Sequence, residues 1–283
     1  MKCKYDKIII IGMGFMGGSL GRTLLRNNIA KEVVGYGRNI DRLKIALKKG
    51  AATSVTIDLE KAVNGAQIII VSLPVMLISE YVKKILTSVN KNCCITDMGS
   101  VKEKIVNEIV KFDKEKLFIG SHPMVGSEKA GIENMKDDLF KGGTCIVTPL
   151  KNSNYQKINI LTSFWKDVGM KVIKMTPKQH DKYISGISHL PHLISFALIN
   201  CQKENILKRK EIIGRGFKDS TRIAASNEEI WTDIFLANRK NIVKDIDYYM
   251  KTLKNFRNLI KGNEMNKLKS EIKKAKKLRG KIQ

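Results

Sequence analysis

Residues Ile8 to Leu25 read IIIIGMGFMGGSLGRTLL. Four consecutive β-branched residues, Ile8 to Ile11, are the signature of a strand buried on both faces. They run into Gly12, Gly14 and Gly17, a G-x-G-x-x-G, and then into Leu20, Leu24 and Leu25 at helical spacing. Each glycine answers a separate physical demand. Gly12 permits a tight turn, Gly14 lets the backbone approach a diphosphate, and Gly17 lets helix and strand pack closely. The start of the helix offers unpaired N–H groups and the positive end of its dipole to phosphates. A second strand is expected over Lys31–Tyr36. The stretch therefore predicts the first βαβ unit of a dinucleotide-binding fold, with Gly12, Met13, Gly14, Phe15, Met16 and Gly17 around the phosphates.

The alternation continues. A short run near Ala51–Val55, then Gln67–Leu73 ended by Pro74, Cys93–Thr96 and Leu117–Gly120 read as strands three to six. Thr144–Thr148 and Lys171–Met175 read as two more, flanking a helix from about Ser153 to Val168. This predicts an α/β fold over residues 1–176, a Rossmann-type doubly wound sheet with an extension. Ser72 and Leu73, at the carboxyl end of the fourth strand, are expected beside the cofactor. After Pro177 the strand signals stop. HDKYISGISHLPHLISFALINCQ, residues 180–202, reads as one long helix bent at Gly186 and Pro191. Asn227–Lys261 and the segment of Met265, Leu268, Ile272 and Ala275 continue at helical spacing. Residues 177–283 are expected to form an all-α domain. That much apolar helix surface points to a second subunit, a homodimer.

The formal charge is +25, and residues Lys254–Gln283 hold 11 Lys+Arg against two acids, net +9. No nucleic-acid-reading motif accompanies this charge. It reads as a Lys-rich background with a solvated basic tail that also favours anionic small molecules. The five cysteines include no CxxC and read as buried thiols of a reducing, cytoplasmic compartment. No apolar run approaches the roughly 18 residues of a membrane span, so no membrane partner is expected.

Four stretches carry candidate chemistry. GSHPMVGSEKAG, residues 120–131, follows the sixth expected strand and puts His122 where a doubly wound sheet presents its ligands. Ser100, in TDMGSVK, either caps a helix expected over Val101–Val110 or faces the nicotinamide. His189 and His192, three apart in SHLPH, share a helix face. They suit a metal, simple packing or an anionic ligand, and no Asp, Glu or Cys lies nearby at ligand spacing. GRGFKDSTRIAAS, residues 214–226, crowds Arg215, Lys218 and Arg222, and the guanidinium fork matches a carboxylate. At the end of the second strand, where NAD enzymes usually carry an acid, the chain reads GYGRN. Gly37 and Arg38 suit a 2′-phosphate, Tyr36 suits the adenine in either case, and Asp41 is near. The cofactor is expected to be NAD or NADP, with a lean to NADP.

GMGFMG, DMGSVK, GSHPMVGSEKAG, SHLPH and FKDSTRIA with Trp231 beyond, in that order, resemble the prephenate/arogenate dehydrogenases of tyrosine biosynthesis over residues 5–260. The resemblance implies an oxidative decarboxylation of prephenate, with arogenate as the alternative substrate. It implies that His122 is the base for the 4-hydroxyl and that Ser100 orients that hydroxyl. Arg222 pairs with a substrate carboxylate. Ser127 contacts the substrate, and His189 and His192 line the pocket, His192 nearer the substrate side chain. Glu128 and Asp219 brace Arg222 or gate the site, and Trp231 walls it. Gly37 departs from the acid of NAD-preferring members. No mutase or regulatory domain is expected at this length. A 3-hydroxyacid-type dehydrogenase and a dinucleotide-binding redox sensor are more distant readings.

Overall fold

The computed structural model describes residues 3–127, 129, 131–202 and 208–282. They divide into two compact units, residues 1–238 and 239–283.

In the first unit β1 (Tyr5–Ile11), β2 (Ala30–Tyr36), β3 (Ser54–Thr56), β4 (Ile68–Val71) and β5 (Cys94–Asp97) form one parallel sheet in the order β3-β2-β1-β4-β5. Its two faces are packed separately, as the period of two along a strand requires. Ile8, Ile10, Ile68 and Ile70 enter one core, while Ile9, Ile11, Ile69 and Val71 enter the other. This is why β1 and β4 read as unbroken apolar runs and not as alternation. The strand order reverses between β1 and β4, where α/β sheets open a crevice at their carboxyl ends. Helices α1 (Phe15–Arg26), α2 (Ile40–Lys48), α3 (Leu59–Val63), α4 (Val75–Leu86) and α5 (Glu103–Ile109) make the connections.

A second sheet holds β6 (Gly120–Pro123), β7 (Thr144–Thr148) and β8 (Lys171–Lys174), with β6 antiparallel and β8 parallel to β7. This corrects the sixth expected strand. Residues 117–119 meet β5 at the bridge of Ile95 and Phe118 and where the Thr96 hydroxyl donates to the Ile119 carbonyl, and the strand proper begins at Gly120. His122 therefore sits within β6, opposite Ile146, and not after it. Pro123, which has no N–H to donate, closes the strand. Helix α6 (Tyr155–Asp167) joins β7 to β8.

Beyond β8, Thr176 opens α7 (Pro177–Ile184) with a reciprocal cap to Gln179 and Pro177 in the first turn. The single long helix expected here is three segments. Residues Ser185–His189 form a π turn, and α8 (Leu190–Asn200) follows, with Pro191 at its start. The expected Asn227–Lys261 segment is broken too. Helix α9 (Arg215–Thr221) and a 3₁₀ turn from Arg222 lead to α10 (Glu228–Ala237), capped at its start by Asn227 and ended by Asn238.

The second unit is a helical pair, α11 (Arg239–Lys261) and α12 (Met265–Arg279), packed on each other across a turn at Asn263. Tyr248, Met250, Leu253, Ile260, Met265 and Ile272 are exposed on them.

Two glycines fix the first turn. Gly12 adopts φ +96°, a conformation that L side chains rarely take. A Cβ on Gly17 would lie 2.0 Å from the Gly12 carbonyl oxygen. Gly17→Ala must part helix α1 from this turn, at an expected cost of about 1–3 kcal/mol. A lower denaturant midpoint with weakened dinucleotide binding is the expected result. An unchanged midpoint contradicts the packing described.

Candidate active site

A cavity of about 640 Å³ opens at the crevice. Gly14, Phe15 and Met16 from the start of α1 line it, with Ser72 and Leu73 after β4 and Ser100 after β5. His122 from β6, Ser127 from the loop beyond, His192 from α8, and Arg222 and Trp231 from the α9–α10 region complete the gathering. These are most of the residues expected from sequence. An imidazole of the sheet half and a guanidinium of the helical half thus face one space.

His122 is held from behind. Its Nδ1 lies 2.8 Å from His180 Nε2, and His180 Nδ1 lies 2.7 Å from Asp181 Oδ1. The carboxylate can only accept, so His180 Nδ1 carries the proton and donates it. His180 Nε2 is then an acceptor, which places a proton on His122 Nδ1. His122 Nε2 is left unprotonated, with its lone pair for the cavity that the ring lines. Burial pushes His122 well below the ordinary histidine value of 6.5, helped by His180, Lys102 and His189. Burial also lowers His180, against the opposing pull of Asp181. Both rings are neutral in this arrangement.

Asp181 does a second task. Its Oδ1 accepts the Lys102 N–H at 2.7 Å and its Oδ2 the Glu103 N–H at 2.9 Å. It therefore caps α5, satisfying donors that a helix start leaves open. This corrects the capping role considered for Ser100: α5 begins two residues later than expected, and a carboxylate from α7 serves it. Ser100 is left to line the cavity.

The histidine pair is split by the π turn. His192 donates Nδ1–H to the Ser188 carbonyl at 2.9 Å and stacks on Trp231 at 3.6 Å, so its Nε2 is an acceptor. Burial lowers its pKa, with the Ser188 carbonyl opposing and Arg222 adding to the fall. His189 is the correction. It is fully buried, edge-on to Trp231 and 3.1 Å from the Asn238 amide, and it does not line the cavity. Burial holds it down at about 4. Among the described residues no three His, Cys, Asp or Glu side chains gather as metal ligands would.

Among the described residues the other candidates do not line the cavity. Asp219 is exposed on α9, and Glu128 lies outside the described residues. Met13 packs its side chain against Gly35 of β2, so only its backbone remains for a ligand. Gly12 and Gly17 shape the turn. Around Gly14, by contrast, no atom lies within 4 Å of where a Cβ would be, and α1 has no side-chain cap and no acid in its first turn. This open, uncapped helix start fits a dinucleotide diphosphate. At the end of β2, Tyr36 tilts against Tyr81 at 6.2 Å, and Arg38 and Lys84 both act on its hydroxyl. Asp41 is turned outward and pairs with Lys44 at 3.1 Å.

Sequence reasoning missed His180, Asp181, Lys102 and Asn238. It also missed Lys129 and Ser188 in the lining. The HD pair at the head of HDKYISG was the available signal.

Comparison with known proteins agrees with this geometry. The family model described as "Prephenate dehydrogenase, nucleotide-binding domain" matches residues 20–174, and "Prephenate dehydrogenase, dimerization domain" matches residues 176–274. The chain belongs to the prephenate dehydrogenase family. Its activity is the oxidoreductase activity of that family. It is 29% identical to the prephenate dehydrogenase of Bacillus subtilis, over 96% of this chain and 74% of the relative. It is 27% identical to the cyclohexadienyl dehydrogenase of Zymomonas mobilis, over 97% and 95%. Among solved structures, prephenate dehydrogenase from Aquifex aeolicus in complex with hydroxyphenyl propionate and NAD+ superposes with a TM-score of 0.92 at 32% identity, covering 100% of both chains. Synechocystis arogenate dehydrogenase gives 0.84 at 27%, covering 98% and 100%. No helix among the described residues is long and apolar enough to cross a membrane.

The four histidines make the fold sensitive to acid. His122, His180, His189 and His192 all have folded values below the unfolded value of 6.5. Above 6.5 they are neutral in both states and contribute no slope. As pH falls below 6.5 the unfolded chain takes up protons first, so stability drops toward pH 4. The denaturant midpoint is expected to be flat near neutrality and to fall between about pH 6.5 and 4.5. A midpoint constant over that range contradicts the buried, neutral assignment.

Proposed function

We propose that the chain oxidatively decarboxylates prephenate to 4-hydroxyphenylpyruvate, with His122 as base and NADP accepted at least as well as NAD. The observation that carries this reading is the unprotonated His122 Nε2 sharing one cavity with Arg222, next to the open start of α1. The bound dinucleotide supplies the hydride acceptor. His122 Nε2 takes the 4-hydroxyl proton as that carbon becomes carbonyl-like. Loss of carbon dioxide leaves the ring as a phenolate, and the same imidazole returns the proton, so the step needs no net proton. Ser100, beside it in the lining, orients the hydroxyl. Arg222 pairs with one substrate carboxylate. Ser127 and His192 offer polar contacts, and Trp231, braced by His192, walls the space. Asp219 and Glu128 brace Arg222 or gate the site.

Gly37 removes an acid that would repel a 2′-phosphate, and Arg38 with Lys84 brings positive charge to the end of β2. We assign residues 1–176 to cofactor binding and 177–283 to substrate binding and dimerisation in the cytoplasm. The exposed apolar residues of α11 and α12, together with the dimerization-domain match, support a homodimer.

A matrix assay tests this: prephenate and arogenate are each offered with NAD and NADP. Prephenate turnover with both cofactors is expected, with arogenate slower. His122→Asn should abolish it, and retention of most turnover ends the base assignment. Arg222→Gln should raise KM with a loss of about 2–5 kcal/mol in kcat/KM. Gly37→Asp should move the NADP-to-NAD preference at least about tenfold toward NAD, equivalent to ~1.4 kcal/mol. Light scattering is expected to give twice the 31.9 kDa chain mass, and a monomer at micromolar concentration contradicts the dimer.

A further inference from the structure

Lys102 is fully buried, and nothing in the proposed reaction uses it. Its Nζ is ion-paired with Asp97 and donates to the Ser121 carbonyl at 2.8 Å. Asp97 in turn accepts the Ser121 N–H at 3.2 Å and the Gly99 N–H at 2.8 Å. Ser121, the residue before His122, is thus gripped at both backbone polar groups by one buried ion pair. The lysine stem fills the space under β6, where a Cβ on Gly120 would lie 3.3 Å from Lys102 Cδ. The backbone N–H of the same residue holds Asp181 Oδ1 at 2.7 Å, at the far end of the chain that orients His122.

Stability alone does not account for this arrangement. Taking two charges out of water costs about as much as their attraction returns, and apolar residues of similar volume often serve a core equally well. What an apolar pair cannot do is hold both the carbonyl and the N–H of the residue that precedes the reacting histidine.

We propose that Lys102 is a positioning residue for the base: its side chain fixes the backbone of His122 from one side, and its N–H fixes the Asp181–His180 support from the other. The inference rests on His122 being the base. The ammonium charge acts on the same ring, adding to burial and His180 in lowering its affinity for protons. Among the described residues, the other charged or titratable groups around His122 are Asp181 of α7, His189 of the π turn, Asp97 of β5 and Cys145 of β7. Lys129 and Arg222 line the cavity that it faces.

The test is the pH profile of kcat/KM for Lys102→Met, Asp97→Asn and the double variant, beside the wild type. A base must be neutral to act, so activity is lost as pH falls through its pKa. Lys102→Met removes a cation, and the acid limb is expected to move to higher pH. Asp97→Asn leaves the cation unbalanced, and the limb is expected to move to lower pH. The double variant restores the balance and should return the limb toward the wild-type position. In the Met variants kcat should fall about 100-fold, the scale of a displaced catalytic group, with KM little changed. A purely structural lysine would lower stability without moving the limb in opposite directions. Lys102→Gln, which keeps a donor for Ser121 without the charge, serves if the Met variant does not fold. It should move the limb up with a smaller loss of kcat. Wild-type kcat and an unmoved limb in a folded Lys102 variant overturn the proposal. If His122→Asn retains turnover, the base assignment falls and this proposal with it. If His122→Asn is inactive while the Lys102 variants behave as wild type, this proposal alone is wrong.

Discussion

The three-member hydrogen-bond chain from Asp181 through His180 to His122 is the constraint on which the site depends. A neutral imidazole can present either nitrogen as its acceptor, and only one choice leaves a base in the cavity. The carboxylate decides that choice two bonds away. Because it accepts only, it sets His180, and His180 sets His122. The same carboxylate caps α5, so the tautomer of the site and the start of a helix in the nucleotide half are tied to one residue of the first helix beyond it. A weaker support would let the ring turn, and an open helix start would compete for the carboxylate.

The fold places this chain where it can be used. The reversal of strand order between β1 and β4 opens the crevice, and the glycines after β1 leave the start of α1 bare for phosphates. The second sheet then brings β6 alongside. The π turn gives the returning helix its third contribution. It sends His189 inward to Asn238 while His192 stays at the cavity wall on Trp231. π turns inside α-helices are uncommon and occur frequently at functional sites, because the extra residue shifts the faces that follow. Holding three buried histidines and the half-buried His192 in neutral form is the cost, and acid sensitivity is its expected consequence.

Much of this was legible in the sequence, for identifiable reasons. The Ile8–Ile11 run and the glycine spacing state a buried parallel strand and a phosphate turn in local terms. Thr176, Pro177 and Gln179 also carry a helix-start signature, which the reading of a helix over residues 180–202 did not use. His122, Ser100, Arg222, His192 and Trp231 were visible in short motifs and do line one cavity. The rest depends on contacts between residues far apart in the chain. Asp181 caps a helix 78 residues before it, which no local rule for Ser100 could anticipate. His180 and Asp181 read as the polar face of a helix, and only the fold brings them behind β6. Lys102 reads as one lysine among many in a basic chain, yet it is wholly buried. Asn238 looks like a helix interior residue, but its amide reaches Asp181 and His189, and the helix breaks there. The division of the long apolar helix by a π turn leaves no mark beyond Gly186, which suits a bend equally well.

Proton placement on the reacting ring is the claim from which the rest follows, and nitrogen-15 NMR of the histidine-labelled protein at neutral pH reads it directly. The account predicts that His122 carries its proton on Nδ1, coupled to His180, with an unprotonated Nε2. A spectrum showing the proton on His122 Nε2, or a doubly protonated ring, would contradict it.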